Sequence, residues 1–309
     1  MSVVKSEKGL IIIAFAIIYI VWGSTYLANE YAIDTIPPWI MAGARFSVAG
    51  LLLFLVTWLL KTPFPTRKQF LNTWFLGFLF MSLGIGATVW AQQYVDSGFT
   101  ALLIAANPLV IVLMLWVLQG VKPTVKSIFG IVLGILGMCL LFSDASIDLS
   151  GNALWGIMGI LLSIFAWAYG SIIVSKLDLP ASKMQRAALQ MFLGGFTLFL
   201  VSFFSDDWAK FSISQITPIS FYCWLYLIFF GSIAAFTAFN YLLTKVSPEK
   251  VSTSTYVNPV IAIILGWWMR DEPLTLQMVL AGLIMLAGVF CINSSKVKKE
   301  HPVGLVKNK

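Results

Sequence analysis

Ten apolar stretches of roughly 20 residues run through the chain, at about 9–29, 39–60, 70–91, 97–118, 124–143, 152–174, 185–205, 218–243, 250–269 and 275–294. Each is long enough to cross the hydrocarbon core of a bilayer as an α-helix. Lipid offers no partner to a backbone N–H or C=O, so a crossing segment must satisfy these groups within itself. The composition agrees: 59% of the residues are hydrophobic and 11% charged, against about 25% charged in a soluble domain. Mean hydropathy is +0.90. This excludes a soluble enzyme, a disordered chain and a disulfide-rich secreted domain. The sequence predicts an all-α integral membrane protein with ten transmembrane helices. The run Phe211–Thr244 is longer than one span, and Pro218 predicts the helix start within it. The first run is longer than the core of a cleavable signal and is read as a span. Cys139, Cys223 and Cys291 lie in apolar runs without a C-x-x-C motif or a His partner, and read as packing residues. No metal or cofactor is implied.

Charge sets the orientation. With the N-terminus in the cytoplasm, 17 of the 20 Lys and Arg residues fall on the cytoplasmic side. Nine of the 13 acids, Glu30, Asp34, Asp96, Asp144, Asp148, Asp206, Asp207, Asp271 and Glu272, fall on the other. Both termini are then cytoplasmic. The net charge of +7 is explained by this asymmetry and implies a lipid bilayer, not nucleic acid, as the surface the chain meets. The basic tail, 295–309, reads as a positive-inside anchor, or as a contact for a partner protein.

The two halves resemble each other. A shift of 151 residues lays Asn107-Pro108 on Asn258-Pro259 and Trp116 on Trp267. A shift of 145 lays Trp22 on Trp167, Gly50 on Gly195 and Leu53-Phe54-Leu55 on Leu198-Phe199-Leu200. These shifts divide the chain into repeats at 1–143 and 152–294. Five spans per repeat is an odd number, so the second repeat is inserted upside down. Inverted repeats are a signature of secondary transporters, because they make inward-open and outward-open states near-equivalent.

Arg45 is the one clear intramembrane charge, about two turns into span 2. It reads either as an anion contact or gating residue, or as a side chain that snorkels to the interface. Its repeat counterpart is Gln190. The acids nearest the spans, Glu30, Asp96, Asp271 and Glu272, all sit at one boundary. Pro108 and Pro259 lie within spans 4 and 9 and predict helix breaks, since proline lacks an N–H and displaces the carbonyl four residues earlier. Asn107 and Asn258 place an amide beside each. Matched interruptions in inverted halves point to a substrate site, or else to kinks that improve helix packing. Polar and aromatic residues at comparable depth complete a predicted cavity: Trp90, Gln93, Asn107, Trp167, Asn240, Thr255, Tyr256 and Asn258. Trp39, Trp155 and Trp208 read as interfacial belt residues. Spans 5 and 10 carry small-residue strips, Gly130/Gly134/Gly137 and Ala281/Gly282/Gly288, and read as packing elements away from the pathway.

Several motifs carry a family resemblance. They are Trp22-Gly23-Ser24-Thr25, Ala44-Arg45-Phe46, Trp90-Ala91-Gln92-Gln93-Tyr94, Ser97-Gly98-Phe99-Thr100-Ala101-Leu102 ahead of Pro108, Phe239-Asn240-Tyr241, Pro259-Val260 and Asp271-Glu272-Pro273-Leu274-Thr275. In this order and spacing the sequence resembles the drug/metabolite transporter superfamily, in particular its ten-helix EamA-type exporters. The resemblance implies a central cavity formed by spans 1–4 and 6–9, with spans 5 and 10 peripheral. It implies export of amino acids, related metabolites or drugs across a bacterial inner membrane. The family often has Gly-Glu after spans 4 and 9. Here span 4 is followed by Gln119-Gly120-Val121, which carries no acid.

A membrane-embedded enzyme would need clustered acids, His or an activated nucleophile at depth, and the spans show none. A membrane sensor or partner-binding protein without flux is the alternative, and the basic tail is its one sequence feature. Orientation is testable in right-side-out vesicles. Single cysteines introduced at Lys5 and Lys307 should resist an impermeant maleimide until the membrane is permeabilised, and labelling of either from outside would refute the assignment.

Overall fold

In the computed structural model, residues 2–143, 151–246, 251 and 254–294 are described. Among these the secondary structure is helical, with no strand. The basic tail, 295–309, lies outside the described residues.

Seven helices are long and apolar enough to cross a membrane, and three shorter apolar helices, Val125–Leu141, Val257–Arg270 and Leu276–Ile292, complete the ten spans. Spans 1, 2, 5, 6 and 7 are single helices, Ser2–Ile33, Pro38–Leu59, Val125–Phe142, Asn152–Ile173 and Lys183–Ser202. Spans 9 and 10 are Ser254–Arg270 and Leu276–Asn293. Span starts follow local chemistry. Pro38 and Pro218 open spans 2 and 8 in the first turn, where no N–H is missed. Thr124, Ser182, Thr217 and Thr275 each accept a backbone N–H with the side chain at a helix start. Thr66 and Gln69 form a reciprocal capping box at span 3. Gly120, with φ of 68°, ends span 4 in the left-handed conformation that glycine tolerates.

Spans 3, 4 and 8 are not uniform. Span 3 is α-helical at Arg67–Gly77, π-helical at Phe78–Gly86 and α-helical again at Ala87–Ala91. Span 8 repeats this order with Pro218–Tyr226, a π segment at Leu227–Ala234, and Ala235–Lys245. The two π segments occupy overlapping places in the repeats, and each contains one serine, Ser82 and Ser232. Ser82 Oγ donates to the Gly194 carbonyl of span 7 at 3.0 Å, while Ser232 Oγ accepts from Arg45 of span 2 at 3.0 Å. Span 4 is broken. Helix Ser97–Ile104 stops, and a second helix, Asn107–Gln119, begins with Pro108 in its first turn.

Spans 2 and 7 form the central contact between the repeats. Their backbones approach at glycine: a Cβ on Gly195 would lie 2.5 Å from Ser47 N, and one on Gly43 would lie 3.2 Å from Gly195 O. Gly194 and Gly77 bring span 7 against span 3 in the same way. Phe46, Met41, Ala49, Met191 and Leu198 fill the core beside this contact. Spans 5 and 10 pack on each other through Gly130, Gly137 and Gly288.

One asymmetry positions the site. The N-terminal half of span 4, Ser97–Ile104, packs against spans 1 and 9. Below the break, Asn107–Gln119 packs chiefly on spans 5, 6 and 10, while span 9 stays with span 1. The bundle is therefore drawn together at the acid-rich face and diverges toward the lysine-rich face. Crowding of the central contact should be costly: Gly195→Leu should lower the melting temperature of the detergent-solubilised protein by several degrees, as overpacking of about 1–3 kcal/mol would. Gly9→Ala, where a Cβ would meet open space, should not lower it.

Candidate functional site

The acid-rich face is held shut by side chains from spans 1, 4 and 9. Asp271, at φ of 54°, turns the chain back after span 9, in a conformation that Asp adopts more readily than most residues. The Glu272 N–H then donates to the Gly266 carbonyl at 3.2 Å, and its carboxylate lies over Gly266, where a Cβ would come within 2.5 Å of it. There the carboxylate meets the start of span 4. Ser97 Oγ donates to Oε1 at 2.5 Å and the Gly98 N–H to Oε2 at 2.9 Å. The first turn of a helix has unsatisfied N–H groups and a positive dipole end, so a buried carboxylate is stable at this place. Asp96, the residue preceding this helix, makes no side-chain cap of its own, and Glu272 from the other repeat supplies the acceptor.

Arg270 ties span 9 to span 1. Its Nη1 and Nη2 each donate to an oxygen of Asp34 at 2.8 Å, and its Nε lies 3.2 Å from Glu30 Oε2. The guanidinium also lies over the Tyr31 ring, 5.0 Å from its centroid. Glu30 is buried and its carboxyl faces Glu272. Partial burial and the negative charge of Glu272 push the Asp96 carboxyl above the ordinary aspartate value, and Arg270 pulls it back. Above this layer is a cavity of about 270 Å³ lined by Glu30, Ile33, Asp34, Gln92, Gln93 and Arg270.

The residues expected from sequence fall at several levels. Gln93 lines the acid-rich cavity. Trp90, just beside it, stacks on Trp39 with centroids 6.1 Å apart and meets Tyr94 edge-on. Trp39, expected in an interfacial belt, is thus partly packed inside, whereas Trp155 and Trp208 are exposed. Trp167 lies deeper, edge-on to Phe80 of the first π segment at 4.9 Å. Asn107 sits at the break in span 4, and its Oδ1 is buried without a hydrogen-bond donor among the described residues. With its nitrogen turned toward them, Asn258 donates to the carbonyls of Tyr19 and Ser254, joining span 9 to span 1. Pro108 coincides with an interruption, whereas the helix Ser254–Arg270 runs through Pro259 unbroken. The side chains of Asn240, Thr255 and Tyr256 lie outside the described residues.

Arg45 is 3% exposed and does not reach the interface. Its Nη1 donates to Asn29 Oδ1 and its Nε to Ser232 Oγ, both at 3.0 Å, with the Phe46 ring 4.8 Å from the guanidinium carbon. Gly231 leaves room for Nη2. The guanidinium thus joins spans 1, 2 and 8 through neutral acceptors.

The sequence places Glu30, Asp96 and Glu272 at one boundary without bringing them together, and it gives no role to Ser97 or Gly266. The usable signal was the pairing of an acid just after span 9 with a Ser-Gly start to span 4.

Comparison with known proteins identifies the architecture. Residues 9–143 and 154–294 each match the EamA-like transporter family. The chain belongs to this family. The EamA-like chain is 35% identical over 275 residues to the uncharacterized inner membrane transporter YedA of Escherichia coli K12, covering 88% of this chain and 87% of that one. It is 24% identical to the uncharacterized transporter YoaV of Bacillus subtilis, over 88% of this chain and 92% of that one. A WAT1-related chloroplastic protein of Arabidopsis thaliana is 25% identical, over 88% of this chain and 66% of that one. A solved crystal structure, 15% identical, shares the fold with a TM-score of 0.63 over 92% of this chain and 96% of that one. The EamA-like chain is accordingly a multi-pass inner-membrane transporter.

The closure at the acid-rich face is testable. A cysteine at Thr100, a fully buried position of span 4 below Glu272, should be labelled slowly by an impermeant maleimide. Arg270→Gln should raise that rate about fivefold, as the loss of about 1 kcal/mol of closure would. An unchanged rate would show that Arg270 does not hold the face shut.

Proposed function

We propose that this transporter exports small organic metabolites, such as amino acids, related metabolites or amphiphilic drugs, from the cytoplasm across the inner membrane by alternating access. Both termini are cytoplasmic in this reading, and the acid-rich face is the exit side. The observation that carries it is the divergence of spans 4 and 9 beyond Ile104. The two helices are clasped by Glu272 at one face and part toward the other, the shape of a carrier open to the cytoplasm. The break before Asn107 lies where they separate, and the π segments of spans 3 and 8 occupy overlapping places in the two repeats. Local π geometry inside an α-helix is frequent at functional positions, because it holds an extra residue that a small shift can absorb. Spans 5 and 10, packed on each other through glycine, form the stationary side.

The test is flux in proteoliposomes with a panel of radiolabelled amino acids and amphiphilic drugs. A carrier shows saturable, protein-dependent uptake and counterflow. A channel shows neither saturation nor counterflow, and a sensor shows no flux. Absence of protein-dependent flux across the panel would overturn the exporter reading.

A further inference from the structure

Arg45 is a buried cation with donors to spare and no counter-charge. A guanidinium carries five N–H donors. Two are bonded here, Nε to Ser232 Oγ and one on Nη1 to Asn29 Oδ1. Nη2 finds no acceptor among the described residues, yet it is not fully enclosed, in contrast to Gln92 Oε1 and Asn107 Oδ1, which are. No carboxylate pairs with it either. The ion pairs among the described residues join Lys245 to Glu7, and Arg270 to Glu30 and Asp34. A charge taken out of water without a counter-charge is costly, so an anion that reaches it relieves that cost.

The free nitrogen faces the open side of the carrier. Thr25 and Asn29 lie one turn apart on the same face of span 1, with Asn29 nearer the acid-rich end. Nη1 reaches Asn29, whereas Nη2 lies beside Gly231 at the level of Thr25. A Cβ on Gly231 would stand 3.1 Å from Nη2 and 3.0 Å from Thr25 Cγ2. The absent side chain thus leaves Nη2 uncovered on this side, and a separation of 3.1 Å is a hydrogen-bond distance for an oxygen. Thr25 and Trp22, further toward the lysine-rich face, are only partly buried although both meet Gly231 of span 8. Trp22 Nε1 donates to the Gly231 carbonyl at 3.3 Å, so its N–H is used and its ring serves as apolar surface.

These surroundings define a ligand. Arg45 supplies N–H donors and a full positive charge, and Trp22 and the Thr25 methyl supply apolar contact. A carboxylate accepts only and carries one negative charge, and its bonds to a guanidinium are of the strong, charge-assisted kind. A neutral amide leaves the charge unbalanced, and an ammonium is repelled. We propose that Arg45 Nη2 binds the carboxylate of the transported solute, whose carbon chain lies toward Thr25 and Trp22. The place of this subsite on a transport route rests on the exporter reading, which it narrows to organic acids, amino acids included.

The test uses the full chain in detergent with Thr25→Cys as reporter. Labelling by methyl methanethiosulfonate, a small neutral reagent, is read at that residue by peptide mass spectrometry. Sodium butyrate should protect the cysteine in a saturable manner. Butyramide, n-butylammonium chloride and sodium chloride at equal concentration should not, since each lacks either the negative charge or the carboxylate oxygens. Adding Arg45→Gln should weaken protection by butyrate about tenfold or more, as loss of a hydrogen bond to a charged group does. No protection by butyrate would overturn the proposal, as would equal protection by sodium chloride or protection undiminished in Arg45→Gln. An Arg45 that only joins spans 1, 2 and 8 predicts labelling indifferent to butyrate. Should Arg45→Gln fail to fold, the comparison among the four probes on the reporter protein decides. The two readings fail separately. Saturable flux of solutes in liposomes without protection by butyrate removes the subsite and leaves the exporter. Protection in a protein that shows no flux does the reverse.

Discussion

Hydrocarbon gives an exposed peptide group nothing to bond with, and each irregular element of this fold answers to that constraint. Helices satisfy it along the spans. Where the helical ladder is disturbed, in the π segments of spans 3 and 8 and at the break in span 4, the backbone lies against neighbouring spans. Ser82 and Ser232, within the π segments, bond to groups of spans 7 and 2. The same constraint explains Glu272. The first turn of span 4 has free N–H groups close to the membrane boundary, and a carboxylate from the opposite repeat covers them.

Charge placement follows from desolvation. Arg45 is buried, yet three neutral or aromatic neighbours share its guanidinium instead of a carboxylate. An insertion cost of about 2.5–3.5 kcal/mol at a helix centre is offset there by hydrogen bonds and by its place inside the bundle. Arg270, nearer to water, pairs with two carboxylates directly. Both arginines join elements distant in sequence, one near the central contact of spans 2 and 7 and the other at the acid-rich face.

Much of this was legible in the sequence because it depends on local pattern. Span lengths, the glycine strips of spans 5 and 10, the start of span 8 at Pro218 and the place of Arg45 inside span 2 all follow from composition along a short window. What was not legible depends on pairing across the chain. Glu272 reaches Ser97 over a separation of 175 residues, and no local signal distinguishes it from any other boundary acid. The π segments have no hydrophobic periodicity of their own, because they contain apolar residues of the kinds found in the α-helical turns around them. Pro108 and Pro259 look equivalent in sequence, yet only the former coincides with an interruption. Span 9 remains supported along its length by span 1, where Gly23 admits Ile261, while the halves of span 4 take different neighbours.

The π segments have a consequence for energy balance between the two sides. A carrier made of two identical halves would be degenerate, resting as often toward one compartment as toward the other. In this chain the serines of the two π segments are not treated alike: Ser82 meets an uncharged carbonyl, and Ser232 meets a guanidinium. A swivel about the second must reorganise a full positive charge in a weakly screening medium, whereas a swivel about the first moves only a dipole. Within the proposed cycle that difference lifts the degeneracy and biases which compartment the empty carrier faces.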